Sequence, residues 1–495
     1  MAEQVLSRAS LAQFAPLPEG NDQYPLEYMD ANSAIKLRED DASVVIGVCD
    51  PSDDSLLGFL RNFHEKPVSF LWIERTELSA YLGKRLSAVE GASGQRSGPE
   101  DERILLDRLA NDAPVVNLVN SLMIEAIRLG ASDIHIESLA EEARVRYRID
   151  GVLQTVTRLE KARFPAVSSR IKIMANLNIM ERRLPQDGRL SVHLGDGLYD
   201  VRVSIVPIAD GESVVLRLFN TEGVPRGLEE LGIDAGSIQT LRALVAHPHG
   251  LVLATGPTGS GKTTTLNALL REIAVDSVKV VTIEDPVEYR IDGVDQIQTN
   301  ERIGLTFDSL LRRVLRQDPD VIMVGEIRDT PTAELSLRAA LTGHLVLSTL
   351  HTNDAVSVIP RLRNMGVEPY LLAAVLRGAL AQRLVRTVCR SCARPVAPDA
   401  RERRLLEDCG LPPDGLVRGV GCEACGMAGY KGRTAVVEVF RSDARVEEMI
   451  LKAERAPVLT DYLTSQGFRA LMRNGLALAA SGITTIAEVE SAVAT

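Results

Sequence analysis

The chain has 495 residues, a formal net charge of −11, 45% hydrophobic content and only 4% aromatics. That length suggests about three domains, and the composition is that of globular protein with aliphatic, helix-rich cores. The acidic balance excludes a general attraction to nucleic acid. No apolar run is long enough to span a bilayer, and Met1-Ala2-Glu3-Gln4 leads to no secretory signal.

Residues 1–86 read as a small α/β domain. Ser43–Cys49 and Pro67–Ile73 are strand-like, and Asp53–His64 is helix-like with Leu56, Leu57, Phe59 and Leu60 on its apolar side. No catalytic constellation stands out here. Cys49 reads as a packing residue, and the domain as a packing or docking module. Residues 87–112 form the expected linker, because 87–100 are rich in Gly and Ser.

Residues 113–225 read as a second α/β unit with much antiparallel sheet. Val116, Val119, Met123 and Ile127 recur at helical spacing. Ala143–Val152 alternates with period two and turns at Asp150-Gly151, which predicts a hairpin. Phe164–Ala175 reads as a helix, and Tyr199–Val206 and Glu212–Phe219 as strands. Arg146, Arg148, Arg189, Arg202 and Arg217 lie in these strands or their turns. One reading makes them a solvated face, favoured for Arg146 and Arg148. The other sends some of them to the phosphates of a nucleotide on a neighbouring subunit.

Residues 226–495 begin with the most informative stretch. Leu251–Thr255 predicts a buried strand. Gly256-Pro257-Thr258-Gly259-Ser260-Gly261-Lys262-Thr263-Thr264 fits G-x-x-x-x-G-K-[ST], and Leu266, Leu269, Leu270 and Ile273 follow at helical spacing. Strand, glycine loop and helix form a phosphate cradle: backbone N–H groups converge on the phosphates at a helix N-terminus. Lys262 is placed to reach the β- and γ-phosphates, and the Thr263 hydroxyl to bind Mg²⁺. Further strands are expected at Lys279–Ile283, Val321–Val324 and Leu345–Leu350, alternating with helices at Asp308–Arg316 and Pro331–Leu341. That alternation argues for a parallel sheet with helices on both faces.

Glu284, Glu326 and His351 follow three of these strands, at the edge where such sheets bind ligands. Gly325 stands where many such enzymes carry an Asp before the Glu. Glu326 is therefore assigned with Thr263 to Mg²⁺, and Glu284 to polarising the attacking water. His344 and His351 flank the fourth strand and suggest sensing of the γ-phosphate. Arg312, Arg313, Arg316, Arg328, Arg361 and Arg363 read mostly as helix-surface pairs.

Cys389, Cys392, Cys422 and Cys425 form two C-x-x-C pairs. Four thiolates in two chelating turns match tetrahedral Zn²⁺, with a redox dithiol as the alternative. The metal would staple a subdomain at 386–437, with a helix near Arg401–Cys409 between the pairs. Cys409 itself reads as packing. Residues 438–495 read as terminal helices.

These motifs together resemble the type II/type IV secretion ATPase family. Gly256–Thr264, Thr282–Tyr289, Asp318–Asp329 and Gly343–Asn353 are similar to its Walker A, Asp, Walker B and His boxes. Ala131–Glu137 and Pro185–Arg189 resemble its N-terminal half. The tetracysteine insertion resembles the type II secretion and type IV pilus assembly branches, while the pilus retraction branch lacks it, and the short first domain favours type II secretion, with pilus assembly as the alternative. The resemblance implies a RecA-like core that hydrolyses ATP with Mg²⁺, in a hexameric ring at the cytoplasmic face of the bacterial inner membrane. It implies that Arg202 and Arg217 approach nucleotide across a domain or subunit boundary, that Glu284 is the catalytic carboxylate and that Glu326 belongs to the Mg²⁺ site. Implied partners are a membrane-anchored secretion protein gripping the first domain and an inner-membrane platform protein. Two other function classes remain open at this point. One is a nucleic-acid motor, disfavoured by charge and scarce aromatics. The other is a nucleotide-gated scaffold, suggested only by Gly325.

Overall fold

The computed structural model describes residues 6–18, 23–24, 29, 33–40, 42–51, 53–64, 66–82, 106, 109–194, 197–220 and 227–493. The chain divides into two units, residues 1–105 and 106–495. The Gly- and Ser-rich stretch expected as a linker, 87–100, lies outside the described residues.

In the first unit, β1 (Ala34–Glu39), β2 (Val44–Val48) and β3 (Val68–Trp72) form one sheet. The β1 and β2 strands pair antiparallel, β2 and β3 parallel. A parallel pair needs a crossover, and the helix Asp54–Phe63 supplies it. The Asp53 carboxylate caps that helix by accepting from the Leu56 N–H at 2.9 Å. Leu57 and Leu60 bury against Ile35, Val44, Ile46 and Ile73. Cys49 packs against this core, and burial pushes its thiol up, away from a reactive thiolate.

The second unit opens with the helix Ala113–Arg128, followed by β4 (Ala131–Ser138), β5 (Glu142–Ile149), β6 (Val152–Glu160), the helix Phe164–Met174, β7 (Gln186–Leu194), β8 (Gly197–Ile208) and β9 (Gly211–Asn220). The strands form an antiparallel sheet in the order β6-β5-β4-β9-β8-β7. Period-two alternation sends Ile134, Ile136, Val145, Tyr147, Val201, Val203, Val214 and Leu216 into a core with Val119, Met123 and Ile171 of the helices. The intervening residues, arginines among them, occupy the opposite face. Behind the sheet, Lys172 is fully enclosed, and its Nζ donates to Glu212 Oε1 at 2.6 Å and to the Glu181 carbonyl at 2.7 Å.

The rest of the unit holds β10 (Gly250–Thr255), β11 (Val280–Glu284), β12 (Val294–Gln298), β13 (Val321–Val324), β14 (Leu345–Leu350), β15 (Leu376–Val388) and β18 (Tyr430–Arg441) in one sheet, ordered β12-β11-β13-β14-β10-β15-β18. All neighbours pair parallel except β15 with β18. Every residue of β10 is buried, and its side chains alternate between two cores. Leu251 and Leu253 join one with Leu311, Leu337 and Ile359, while Val252 and Ala254 join the other with Leu241, Leu266 and Leu270. Helices therefore cover both faces, as the unbroken apolar strands require.

The β15 strand was not expected. Its sequence, Leu-Arg-Gly-Ala-Leu-Ala-Gln-Arg-Leu-Val-Arg-Thr-Val, is dominated by good helix formers. Burial decides instead: Ala379, Leu380 and Ala381 fill the slot between β10 and β18. The tetracysteine module is inserted between β15 and β18. It carries the pair β16 (Ala393–Pro395) and β17 (Val417–Gly419) and the capped helix Ala400–Asp408. Expecting terminal helices from 438 needs correction. The β18 strand runs on to Arg441 because Val437, Glu438 and Phe440 are buried against β15, and the first helix starts at Ala444.

Candidate functional site

The glycine loop joins β10 to the helix Lys262–Ile273, as its motif predicts. Lys262 is buried. Its Nζ donates to the Gly256 carbonyl at 2.7 Å and the Pro257 carbonyl at 3.0 Å, so the ammonium is held across the loop. Burial pulls its pKa down to about 8, opposed by the negative field of Glu326. Ser260 Oγ is buried with no hydrogen-bond partner. Gly256 has φ +142°, and a Cβ there would lie 2.5 Å from the Gln382 carbonyl oxygen, so only glycine fits.

Glu284 is the last residue of β11 and is 2% exposed. Its Oε1 accepts from Thr282 Oγ1 at 2.6 Å and Gln296 Nε2 at 3.0 Å, while Oε2 is buried and unpartnered. One oxygen is thus fixed and the other open, which suits a carboxylate that orients a water. Glu326 differs. Arg328 Nη2 lies 2.5 Å from its Oε1 and His351 Nε2 lies 3.5 Å from its Oε2. To bind a metal, Glu326 must release one of these pairings.

Gly325 also has a structural reason. Its N–H bonds the Ile283 carbonyl at 2.8 Å, and a Cβ would press to 3.1 Å against that oxygen. An aspartate there would push β13 away from β11. His351 sits at the carboxyl end of β14, on the site edge. His344 does not, which corrects the pairing of the two histidines. It precedes β14 at the opposite end of the strand, and its Nδ1 lies 3.0 Å from the Ala339 carbonyl at a helix terminus.

On the antiparallel sheet, register aligns Arg189 of β7 with Arg202 of β8, and Arg202 with Arg217 of β9. Like charges directly opposite repel. Arg217 Nε donates to Asp133 Oδ1 at 2.9 Å, and Arg202 stacks 4.4 Å over the Phe219 ring. Burial and the Arg189 charge lower the Arg202 pKa. The row lines a cavity of about 460 Å³ with Asp187 and Ser204. Glu288, just beyond Glu284, lies in the field of Arg202 and Arg217, and burial pushes its carboxyl up. Arg202 and Arg217 therefore lie within electrostatic range of the segment that follows Glu284. Arg148, 35% exposed on the same face, joins this network through Asp133, at 3.6 Å. Arg146 pairs with Glu137 at 2.5 Å.

Three buried residues escaped the sequence reading. Gln382 Nε2 donates to the Ser260 carbonyl at 2.9 Å and its Oε1 accepts from Thr265 Oγ1 at 2.7 Å, which braces the phosphate loop. Arg383 Nη2 donates to the Asn353 carbonyl at 2.9 Å. Glu438 accepts from the Ala355 N–H and the Leu471 N–H, each at 2.7 Å. A Gln-Arg pair inside an aliphatic run was the available signal.

The sulfurs of Cys389, Cys392, Cys422 and Cys425 all lie within 4.8 Å of one another. Cys389–Cys422 and Cys392–Cys425 are 3.9 Å apart, and Cys422–Cys425 3.7 Å. A tetrahedron of Zn–S bonds of about 2.3 Å has edges of about 3.8 Å. The donor set fits zinc, and the separations are not those of disulfides.

A phosphate loop on a parallel sheet, with carboxylates at neighbouring strand ends, defines a P-loop ATPase. Residues 108–491 match the family described as Type II/IV secretion system protein, and residues 6–92 match the MshEN domain. The type II secretion system protein HxcR of Pseudomonas aeruginosa is 44% identical, over 86% of this chain and 89% of its own. The type II secretion system ATPase E of Vibrio cholerae is 44% identical, over 79% and 77%. The type IV pilus assembly ATPase PilB of Myxococcus xanthus is 40% identical, over 97% and 88%. Among solved structures, the pilus retraction motor PilT with bound ADP is 26% identical with a TM-score of 0.52, over 74% of this chain and 94% of its own. The chain belongs to the type II/IV secretion system protein family and is an ATP-hydrolysing member of it. Among the described residues, no helix is long and apolar enough to cross a membrane.

Proposed function

We propose that this chain is the ATPase of a type II secretion system, a homohexamer that converts ATP hydrolysis into pseudopilus assembly and so into protein export across the outer membrane. The observation that carries the chemistry is the pair of buried, unpartnered atoms, Ser260 Oγ and Glu284 Oε2, at one edge of the parallel sheet. Both need partners that a nucleotide and its attacking water supply. Residues Gly256–Thr264 cradle the phosphates, with Lys262 giving up its loop carbonyls for phosphate oxygens. Thr263 and Glu326 would hold Mg²⁺, which would supply charge neutralisation. Glu284 orients the water, and His351 adjusts Glu326. Arg202 and Arg217 stabilise charge that develops on transfer, across a domain or subunit boundary. Cys389, Cys392, Cys422 and Cys425 hold structural Zn²⁺.

In the same reading, residues 1–86 dock a membrane-anchored secretion protein and 87–112 link them to the motor. Residues 113–225 supply arginines and 226–495 hydrolyse ATP. An inner-membrane platform protein receives the motion. The chain then works in the cytoplasm, reaching the membrane only through partners and without nucleic acid. A second reading, type IV pilus assembly, is favoured by the PilB relative, whose match spans 97% of the chain. Replacing the chain in its own cell by Lys262→Ala separates them. Type II secretion predicts that exported proteins are retained while pili persist, and pilus assembly predicts the reverse.

A further inference from the structure

We propose that Asp150 is a positioning residue for the nucleotide site, latching the arginine-bearing sheet to the zinc-stapled start of β18. The proposal rests on the reading that Arg217 serves the nucleotide. Asp150 and Gly151 have φ +49° and +84°, the tight turn between β5 and β6. The Asp150 carboxylate reaches out of this turn. Its Oδ2 accepts from the Gly432 N–H at 2.8 Å, and Oδ1 lies 3.8 Å from Arg433 Nε. These residues are far apart in the chain and belong to different sheets. A charge-assisted bond to a backbone N–H is stronger than a neutral one.

What Asp150 grips is rigidly held. Gly429, three residues before Gly432, donates its N–H to Cys425 Sγ at 3.3 Å, and its carbonyl accepts from the Cys389 N–H at 3.0 Å. Thr387 Oγ1 donates to the Lys431 carbonyl at 2.5 Å. Arg386 stacks 4.2 Å over Tyr430 while bonding both oxygens of Glu488, at 2.9 and 2.6 Å. Metal module, sheet and last helix therefore converge on the start of β18, which receives Asp150.

On the other side, the turn leads to the arginines. Arg148 Nη1 donates to the Gly151 carbonyl at 2.9 Å, and its Nε lies 3.6 Å from Asp133, the partner of Arg217. Asp150, Arg148, Asp133 and Arg217 form a continuous line from the metal module to the arginine row. The zinc staple thus sets where the arginines stand relative to Glu288 and Glu284, without touching nucleotide.

The test uses the full-length assembled protein, with hydrogen exchange read on peptides covering 430–434 and 146–152, zinc content, and ATP turnover. Asp150→Asn is expected to keep its zinc and exchange the 430–434 peptide about tenfold faster. It should lower turnover several-fold, yet change nothing further in an Arg217→Ala background. Chelation of zinc should produce faster exchange in the same 430–434 peptide. Unchanged exchange after either treatment overturns the latch. Faster exchange with wild-type turnover, or an effect that simply adds to that of Arg217→Ala, overturns the positioning role. If Arg217→Ala alone turns over normally, the arginine reading has failed, and the exchange data still decide the latch.

Discussion

The two large sheets present functional groups in opposite ways. The parallel sheet is buried on both faces, so its strands offer only their ends, and Lys262, Glu284, Glu326 and His351 all lie at or beyond carboxyl ends. The antiparallel sheet has one covered face. Its free face displays Arg189, Arg202 and Arg217 in mid-strand, side by side through register. A parallel sheet builds a site from loops that motifs can encode. An antiparallel sheet builds one from pairing, which no local stretch records.

The sharpest way to break this comparison is to remove each sheet's contribution in turn. Lys262→Ala should lower the kcat of the assembled protein about a thousandfold or more. Retained phosphate release would show that the parallel edge is not the site. Glu284→Gln keeps the shape but removes the open anionic oxygen. Its kcat should fall about a hundredfold, with ATP affinity little changed. If Glu326→Gln alone shows that pattern, the two carboxylates have exchanged roles.

Arg217→Ala probes the other sheet. A fall of about tenfold to a hundredfold in turnover is expected in the assembled protein. The melting temperature should hardly move, because Arg217 is 60% exposed and its pairing contributes little to stability. Loss of folding with intact turnover per folded molecule would make the row structural. Lys172→Met asks the opposite question. It leaves Glu212 enclosed without its ammonium, at a cost of about 3–5 kcal/mol, and chemical denaturation should show it.

The smallest effect is protonic. Lys262 sits at about 8 in the free protein, below its ordinary 10.5. The folded chain therefore binds fewer protons than the unfolded one between those values, and this group adds stability as pH rises through them. Phosphates reverse the shift. Nucleotide binding at about pH 9 should take up a proton at Lys262, and calorimetry in buffers of different ionisation heat would detect it. Lys262→Ala should abolish that uptake.

Legibility in the sequence followed the same division. The phosphate loop, the strand-end carboxylates and the C-x-x-C pairs were readable because each is a local string with its own chemistry. So were β10, β11, β13 and β14, whose apolar runs are bounded by turns. The β15 strand was not, because Ala, Leu, Gln and Arg favour helix and only its neighbours make it a strand. Gln382, Arg383 and Glu438 were hidden for the same reason. His344 was grouped with His351 for phosphate sensing although it precedes its strand, at the end away from the phosphate loop. Arg202 and Arg217 were suspected from the resemblance, but their alignment with Arg189 and their electrostatic reach to Glu288 needed three dimensions.

Glu438 has one further consequence. Its two oxygens are shared between Ala355, in the segment just after His351, and Leu471, which opens the helix Leu471–Ala480. A chain shortened before that helix would lose more than packing at its far end. It would strand half of a buried carboxylate within reach of the nucleotide machinery, so the tail is part of the engine's frame and not a trailing accessory.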